Sequence, residues 1–165
     1  MSTPTSIARE EAEPIRRAVA AALRRSPVVD DPRMAALVRA EAGAPVLARS
    51  PEGTQAFWIV PLEAGRQAPG FARVGLDGRV AQIGRFGAAT DAAFFEGPPA
   101  AVLDEIRASH PTAPLSQPQL SYDGSPAKWA WLVKVGEPAT RFVFVTSGGW
   151  YERPALDDAP SGREG

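Results

Sequence analysis

Cysteine is absent from this chain of 165 residues, so neither a disulfide framework nor a thiolate zinc site can form. Histidine is almost absent. His110 is the sole example, which excludes most histidine metal triads and any His-x-x-x-His spacing. Long apolar runs are missing too, and a membrane-spanning helix needs about 20 such residues. The amino-terminal run Met1-Ser-Thr-Pro-Thr-Ser-Ile-Ala-Arg-Glu-Glu-Ala-Glu13 has no apolar core of the secretory kind, so the expected compartment is the cytoplasm. Excess charge of one sign is lacking as well. The formal net charge is −1, and the basic residues are scattered without interleaved aromatics, which argues against nucleic-acid binding.

What is present begins with 44% hydrophobic residues, enough for one ordinary domain or two small packed ones. The richness in Ala, Arg, Pro and Gly has the look of a GC-rich bacterial genome. The most informative pattern is a repetition. Met34-Ala-Ala-Leu37, Ala44-Pro45, Trp58-Ile-Val60, Phe71-Ala-Arg-Val74 and Gly78 run in order. Leu103-Asp-Glu-Ile106, Ala113-Pro114, Trp131-Leu-Val133, Phe142-Val-Phe-Val145 and Gly149 follow at offsets of 69 to 73 residues. Drift of a few residues is what loop insertions leave between two copies of one unit.

The expected class is therefore α+β, with two tandem helix-plus-antiparallel-sheet units, each α-β-β-β-β, behind an amino-terminal helix. The expected bounds are 1–30 for the lead and first helix, 31–86 for repeat one and 87–97 for a linker. Repeat two spans 98–154, and 155–165 reads as a disordered tail rich in Asp, Pro, Ser, Gly and Glu. The first helix is placed at residues 14–25, because proline costs about 3 kcal/mol inside a helix but fits the first turn. Ile15, Val19, Ala22 and Leu23 share its apolar face. Glu10, Glu11 and Glu13 before it and Arg24 and Arg25 at its end suit the helix dipole, and read as charged ends on a solvated helix.

Repeat one opens with Asp31 as N-cap and Pro32 in the first turn, and its helix is expected to reach Ala42, where Gly43 stops it. Strands are expected at Val46–Arg49, Gln55–Leu62, Gly70–Leu76 and Arg79–Phe86, with Asp77-Gly78 as a hairpin signal. Residues 65–69 read as a longer connection. Thr90 is expected to cap one helical turn over Asp91–Phe95, with Phe94 and Phe95 filling a gap between the units. Repeat two offers a helix over 98–109, ended by His110-Pro111. Strands follow at Gln119–Asp123, Lys128–Val135, Thr140–Ser147 and Trp150–Arg153.

Alternation assigns the faces. Ala56, Trp58, Val60 and Leu62 point one way, as do Trp129, Trp131, Val133 and Val135, and these faces are expected against the helices. A sheet with one wet side carries polar residues on the other. Here the other side carries Phe57 and Ile59 in repeat one, and Ala130, Leu132, Phe142 and Phe144 in repeat two. Phe57, Ile59, Leu132, Phe142 and Phe144 are thus the candidate interaction surface. Three covers compete for it: the amino-terminal helix, the other repeat, or a second subunit, with a partly intermolecular cover the expectation.

A helix, Gly43-Ala-Pro-Val46, a strand with Trp58-x-Val60, a Phe71-x-x-Val74 strand and a turn glycine resemble the PepSY domain pattern. The counterparts at the end of each unit are Val74-Gly-Leu-Asp77-Gly78-Arg-Val80 and Val145-Thr-Ser-Gly-Gly149-Trp-Tyr151. The resemblance covers about residues 31–86 and 98–153. It implies a helix packed on a small antiparallel sheet, and a non-catalytic module that binds or inhibits a partner, often outside the cytoplasm. The chain departs from the pattern by its extra helix and its want of an export signal.

No constellation for catalysis, cofactor or metal is nominated. His110 sits at a helix end, where a structural role is the simpler reading. Gly84-Arg-Phe-Gly87 and Ser147-Gly-Gly149 read as turns, since neither lies between a strand and a helix with phosphate-loop spacing. Trp58, Trp129 and Trp131 read as core and Trp150 as partly exposed. The expected function is a non-catalytic binding or regulatory protein, acting through a protein partner or as a homodimer. A small apolar ligand held between helix and sheet, as in cystatin-like folds, is the first alternative. A structural subunit of a larger assembly is the second.

Overall fold

The computed structural model describes residue 7, residues 9–25 and residues 32–155, without the side chains of Arg33 and Ala89. The expected cap at Asp31 and the expected disordered tail beyond Ala155 lie outside the described residues. The class is α+β: helices with two antiparallel sheets. The chain divides into two compact units between Gly97 and Pro98.

The first unit opens with α1, Arg9–Arg25, which takes Pro14 inside it rather than in its first turn. Proline at that position removes the bond that its N–H would make to the Glu10 carbonyl. Tertiary packing offsets the loss. Ala12, before the proline, is buried along with Val19 and Leu23 after it. The helix expected up to Ala42 is much shorter. A 3-10 turn, Pro32–Met34, leads into a single α-turn, α2, Ala35–Val38, and residues Glu41–Ala42 are already strand β1. One turn is too short to be stable alone. Fully buried Leu37 anchors it, while Glu41 and Ala42 gain sheet pairing with Glu63 and Leu62.

The remaining strands of this unit are β2 (Val46–Arg49), β3 (Gln55–Ala64), β4 (Gln67–Gly75) and β5 (Val80–Asp91). They make a five-stranded antiparallel sheet in the order β1-β3-β4-β5, with β2 also on β3 beyond β1. Five strands replace the expected four, because β3 runs two residues past Leu62 and its far end needs its own partner. The expected long connection over 65–69 is instead a tight turn with Gly65 at φ 64. The expected linker also changes. β5 continues to Asp91, pairing Thr90 with Ala68 and Asp91 with Gln67. The 3-10 turn Ala92–Phe95 is capped by Asp91, which accepts from Ala93 N at 2.9 Å, and not by Thr90.

The second unit is α3 (Ala100–Ser109), then β6 (Gln119–Tyr122), β7 (Trp129–Val135), β8 (Arg141–Thr146) and β9 (Gly149–Pro154). The four strands form an antiparallel meander in chain order. A 3-10 turn, Pro126–Lys128, precedes β7 and is capped by Ser125.

Both helix-facing sides are as alternation requires. In the first unit Val60, Leu62, Ala72 and Val74 form one core with Val19 and Leu23 of α1 and Leu37 of α2. So α1 shares the α2 side of the sheet and does not cover the side of Phe57 and Ile59. Gly70 makes the close approach of α2 possible, since a Cβ there would collide with the Gly84 carbonyl and the Leu37 side chain. In the second unit α3 meets β9. Trp150 Nε1 donates to Glu105 at 2.8 Å, and His110 Nε2 lies 2.7 Å from Glu152. Trp150 and Glu152 pair with Val145 and Val143, and Val145 and Val143 pair with Trp131 and Val133, so all six share the α3 side.

The registers of the two meanders correspond. Trp58 pairs with Leu47 on one side and Val74 on the other. Trp131 pairs with Leu120 and Val145.

Candidate functional site

The groove between α1 and β1 in the first unit brings apolar and charged side chains together around two clefts. α1 turns its buried stripe of Ala12, Val19 and Leu23 to the core. The adjoining stripe, Arg9, Glu13, Arg16, Ala20 and Arg24, recurs at three- and four-residue spacing and looks along β1. Arg16 sits at its centre. Its Nε donates to the Ala42 carbonyl at 2.9 Å and its Nη1 to Glu13 Oε1 at 2.9 Å. The first bond closes a polar group of an edge strand, where open carbonyls invite unwanted pairing. The Glu13 pair is about 40% exposed on both sides, at 42% and 39%. Such a pair contributes roughly 0–1 kcal/mol, so its effect is positional.

Two clefts meet at this arginine. One of about 490 Å³ has Val19, Ala20, Leu23, Val38, Ala40 and Leu62 as its apolar lining, with Arg17, Arg24 and Glu41 at its rim. Val38 is 37% exposed there, one of few large apolar side chains in water among the described residues. The other, of about 800 Å³, runs past Pro45, Val46 and Phe95, with Arg9, Glu41, Glu63 and Glu96 around it. Gly43 donates to the Pro61 carbonyl at 2.8 Å. A Cβ at Gly43 would stand 2.6 Å from Glu63 Oε1, so glycine lets this carboxylate lie across the backbone. Burial raises Glu63 above the ordinary carboxylate range, Arg16 opposes the rise and Glu96 adds to it.

The second unit carries two polar clusters. Asp123 accepts from Tyr151 Oη at 2.8 Å and from Arg153 Nε at 2.7 Å. Burial alone would raise Asp123, but these two bonds and the Arg153 charge outweigh it and hold the carboxyl below its usual value. Tyr151 is pushed up to about 12, by burial first and then by the Asp123 bond and charge. The Arg153 guanidinium lies 5.3 Å from the ring centres of both Phe142 and Phe144, and Tyr151 stacks on Phe144 at 5.5 Å. On the opposite side of the sheet Glu152 lies between His110 and Arg141 Nε, the latter at 3.3 Å and outside hydrogen-bond alignment. His110 thus ties the end of α3 to β9.

The five residues named as an interaction surface fall on the side of each sheet away from its helix. Phe57, Ile59, Leu132 and Phe144 are buried, and Phe142 is half-buried. They form no exposed patch. Arg73 covers the Phe57 ring at 5.8 Å, and Leu132, Phe144 and Ala130 make a small core that Phe142 flanks. Phe94 and Phe95 meet edge to face, and Phe95 packs on Phe86, itself on Phe71. None of the groove residues belongs to the surface expected from the sequence. The 9-13-16-20-24 spacing was the available signal, and it reads as a solvated face until β1 is known to lie beside it.

Among the described residues no group of three or more His, Asp or Glu side chains is placed to hold a metal ion, and no helix is long and apolar enough to cross a membrane. No family model, no curated protein and no solved structure matches the chain.

Proposed function

We propose that this chain is a non-catalytic binding protein that works through protein–protein contacts, and that the α1–β1 groove is its contact surface. The observation that carries the reading is the composition of the groove. An apolar floor that includes half-exposed Val38 lies inside a rim of charged side chains, the anatomy of a protein contact. The space between α1 and the sheet is filled by Val19, Leu23, Leu37, Val60 and Leu62, which favours an open contact over an enclosed chamber for a small apolar ligand.

We also infer that the two units are copies of one helix-plus-meander unit, with α1 and β1 added to the first. The matching registers of Trp58 and Trp131 support this, and so does the order of helix and strands that underlies the PepSY-like reading.

The groove reading is tested with a photo-crosslinking amino acid placed at Ala20 in the full chain, expressed in its host. Leu76, an exposed residue at 52%, serves as the control position. A protein adduct at position 20 and none at position 76 is the expected result. Adducts at both positions or at neither would defeat the reading, and a small molecule retained in native mass spectrometry would favour the alternative.

A further inference from the structure

The groove is electrically two-ended, and its ends are not neutralised from within. Arg16 and Glu13 satisfy each other at its centre. Beyond them, Arg17 and Arg24 stand at one end with no hydrogen-bond or ion-pair partner among the described residues. At the other end Glu41, Glu63 and Glu96 share the larger cleft with Arg9 and with Arg16, which is already bonded to Glu13 and to the Ala42 carbonyl, and Glu63 accepts no hydrogen bond among the described residues. Glu41 lines both clefts. Between the ends the floor is apolar: Ala20, Val38, Ala40 and Leu62 on one side of Arg16, and Pro45 and Phe95 on the other.

Resting on the contact surface argued above, we propose that the occupant is an extended peptide segment of a partner protein with charges of opposite sign at its two ends. Its acidic residue lies at Arg17 and Arg24, its lysine or arginine lies at Glu63 and Glu96, and apolar side chains fill the stretch between. Charge complementarity selects this occupant. A uniformly acidic segment would meet Glu63 and Glu96, and a uniformly basic one would meet Arg17 and Arg24. Like charges brought together across an interface select against the wrong partner, so either would be rejected. A partially buried carboxylate held next to a second carboxylate is relieved by an incoming cation, which is the service the basic residue performs. An arginine or lysine stem also finds apolar surface on Phe95 and Pro45 for its methylenes.

The groove sets the length as well. α1 has 17 residues and so runs about 25 Å. An extended strand covers that distance in about seven or eight residues. Arg17 and Arg24 lie 8 and 15 residues beyond Arg9, about 12 to 22 Å along the helix, so the two charged residues of the occupant are about four to seven positions apart.

The test uses the full chain as bait for a displayed library of random twelve-residue peptides. Enriched peptides are expected to carry an acidic residue and a lysine or arginine at that separation, with apolar residues between them. The winning peptide, made synthetically and labelled with fluorescein, should bind the wild-type chain saturably. Arg17→Glu with Arg24→Glu, and separately Glu63→Gln with Glu96→Gln, should each weaken it at least tenfold. Because all four positions are partly or fully exposed, the variants are expected to fold, and circular dichroism checks this. Ala20→Arg, which blocks the floor without touching either charged end, serves as an independent variant. Enriched peptides without the two-ended pattern would overturn the proposal. So would failure to enrich any peptide, or affinity unmoved by both charge variants. A position-20 protein adduct together with such a failure would leave the groove as a contact surface and remove only the two-ended occupant. Absence of the adduct would remove the surface itself.

Discussion

Arg16 on α1 and Ala42 on β1 are joined across 26 residues of sequence by a 2.9 Å hydrogen bond from guanidinium Nε to carbonyl oxygen. That bond fixes the distance between helix and edge strand and divides the groove into its two clefts. A side-chain bond of this kind is worth about 1 kcal/mol net, and somewhat more when the donor is charged. Arg16→Ala should lower stability by about 1–2 kcal/mol in denaturant titration. It should also speed amide exchange at Gly43, whose N–H bonds the Pro61 carbonyl beside β1. Unchanged exchange at Gly43 would show that β1 is held by its pairing alone.

Trp131→Ala should cost about 3–5 kcal/mol, the usual consequence of emptying a large aromatic core site. Trp131 is 2% exposed on the α3 side of its sheet. Trp150→Phe, on the same side but half-buried, loses the bond to Glu105 and should cost less than about 1.5 kcal/mol. Similar melting temperatures for the two variants would contradict this ranking.

Asp123 and Tyr151 should make stability fall at both ends of the pH scale. The folded Asp123 pKa lies below its unfolded value of about 3.9. Its contribution is fully present above that value and lost as pH falls through the folded pKa. Tyr151 moves the other way, from about 10 unfolded to about 12 folded, so its contribution is present below 10 and lost as pH rises towards 12. Tyr151→Phe should remove the late component of the ultraviolet tyrosine titration. A single component near pH 10 in the wild type would refute the bond.

Glu63 should be a mild liability to the free protein. Its folded pKa is raised by burial, so the protonated form is the one that folding favours. Its contribution is present below the unfolded value and is lost as pH climbs through the raised folded value. Glu63→Gln should therefore raise the melting temperature at pH 7 and leave it nearly unchanged at pH 4. If the two-ended occupant is correct, the same change weakens peptide binding, the trade of stability for function that contact sites often show. A lower melting temperature at pH 7 would mean that Glu63 is a structural ion-pair partner.

Gly70→Ala should be among the most harmful small substitutions. The added methyl collides with the Gly84 carbonyl and with Leu37. Backbone cannot yield cheaply, so a cost of about 1–3 kcal/mol and loosening of α2 are expected in thermal melts and in exchange at Ala40, whose N–H bonds the Leu37 carbonyl.

Alternation and turn chemistry are local, and the sequence alone makes them legible. Period-two patterning placed Val60 and Leu62, and Trp131 and Val133, on their helix-facing sides, and Asp77-Gly78 marked its hairpin. The landmarks at Trp58 and Trp131 both fall in strands, β3 and β7, that are paired on both sides. Other features depend on partners far away in sequence. Pro14 argued for a helix starting there, yet burial of Ala12 draws the helix back to Arg9. Residues 39–42 read as helix because Arg, Ala and Glu favour it, but pairing with the extended end of β3 wins. The groove is the clearest case. Arg9, Glu13, Arg16, Ala20 and Arg24 form a charged helical stripe by sequence alone, and such a stripe ordinarily faces water. It becomes one wall of a site only because Val19 and Leu23 dock on the Leu37 side of the sheet, which sets the stripe beside β1. Side-chain period is a property of the chain, whereas the choice of which buried faces meet is made by the packing of all of them together.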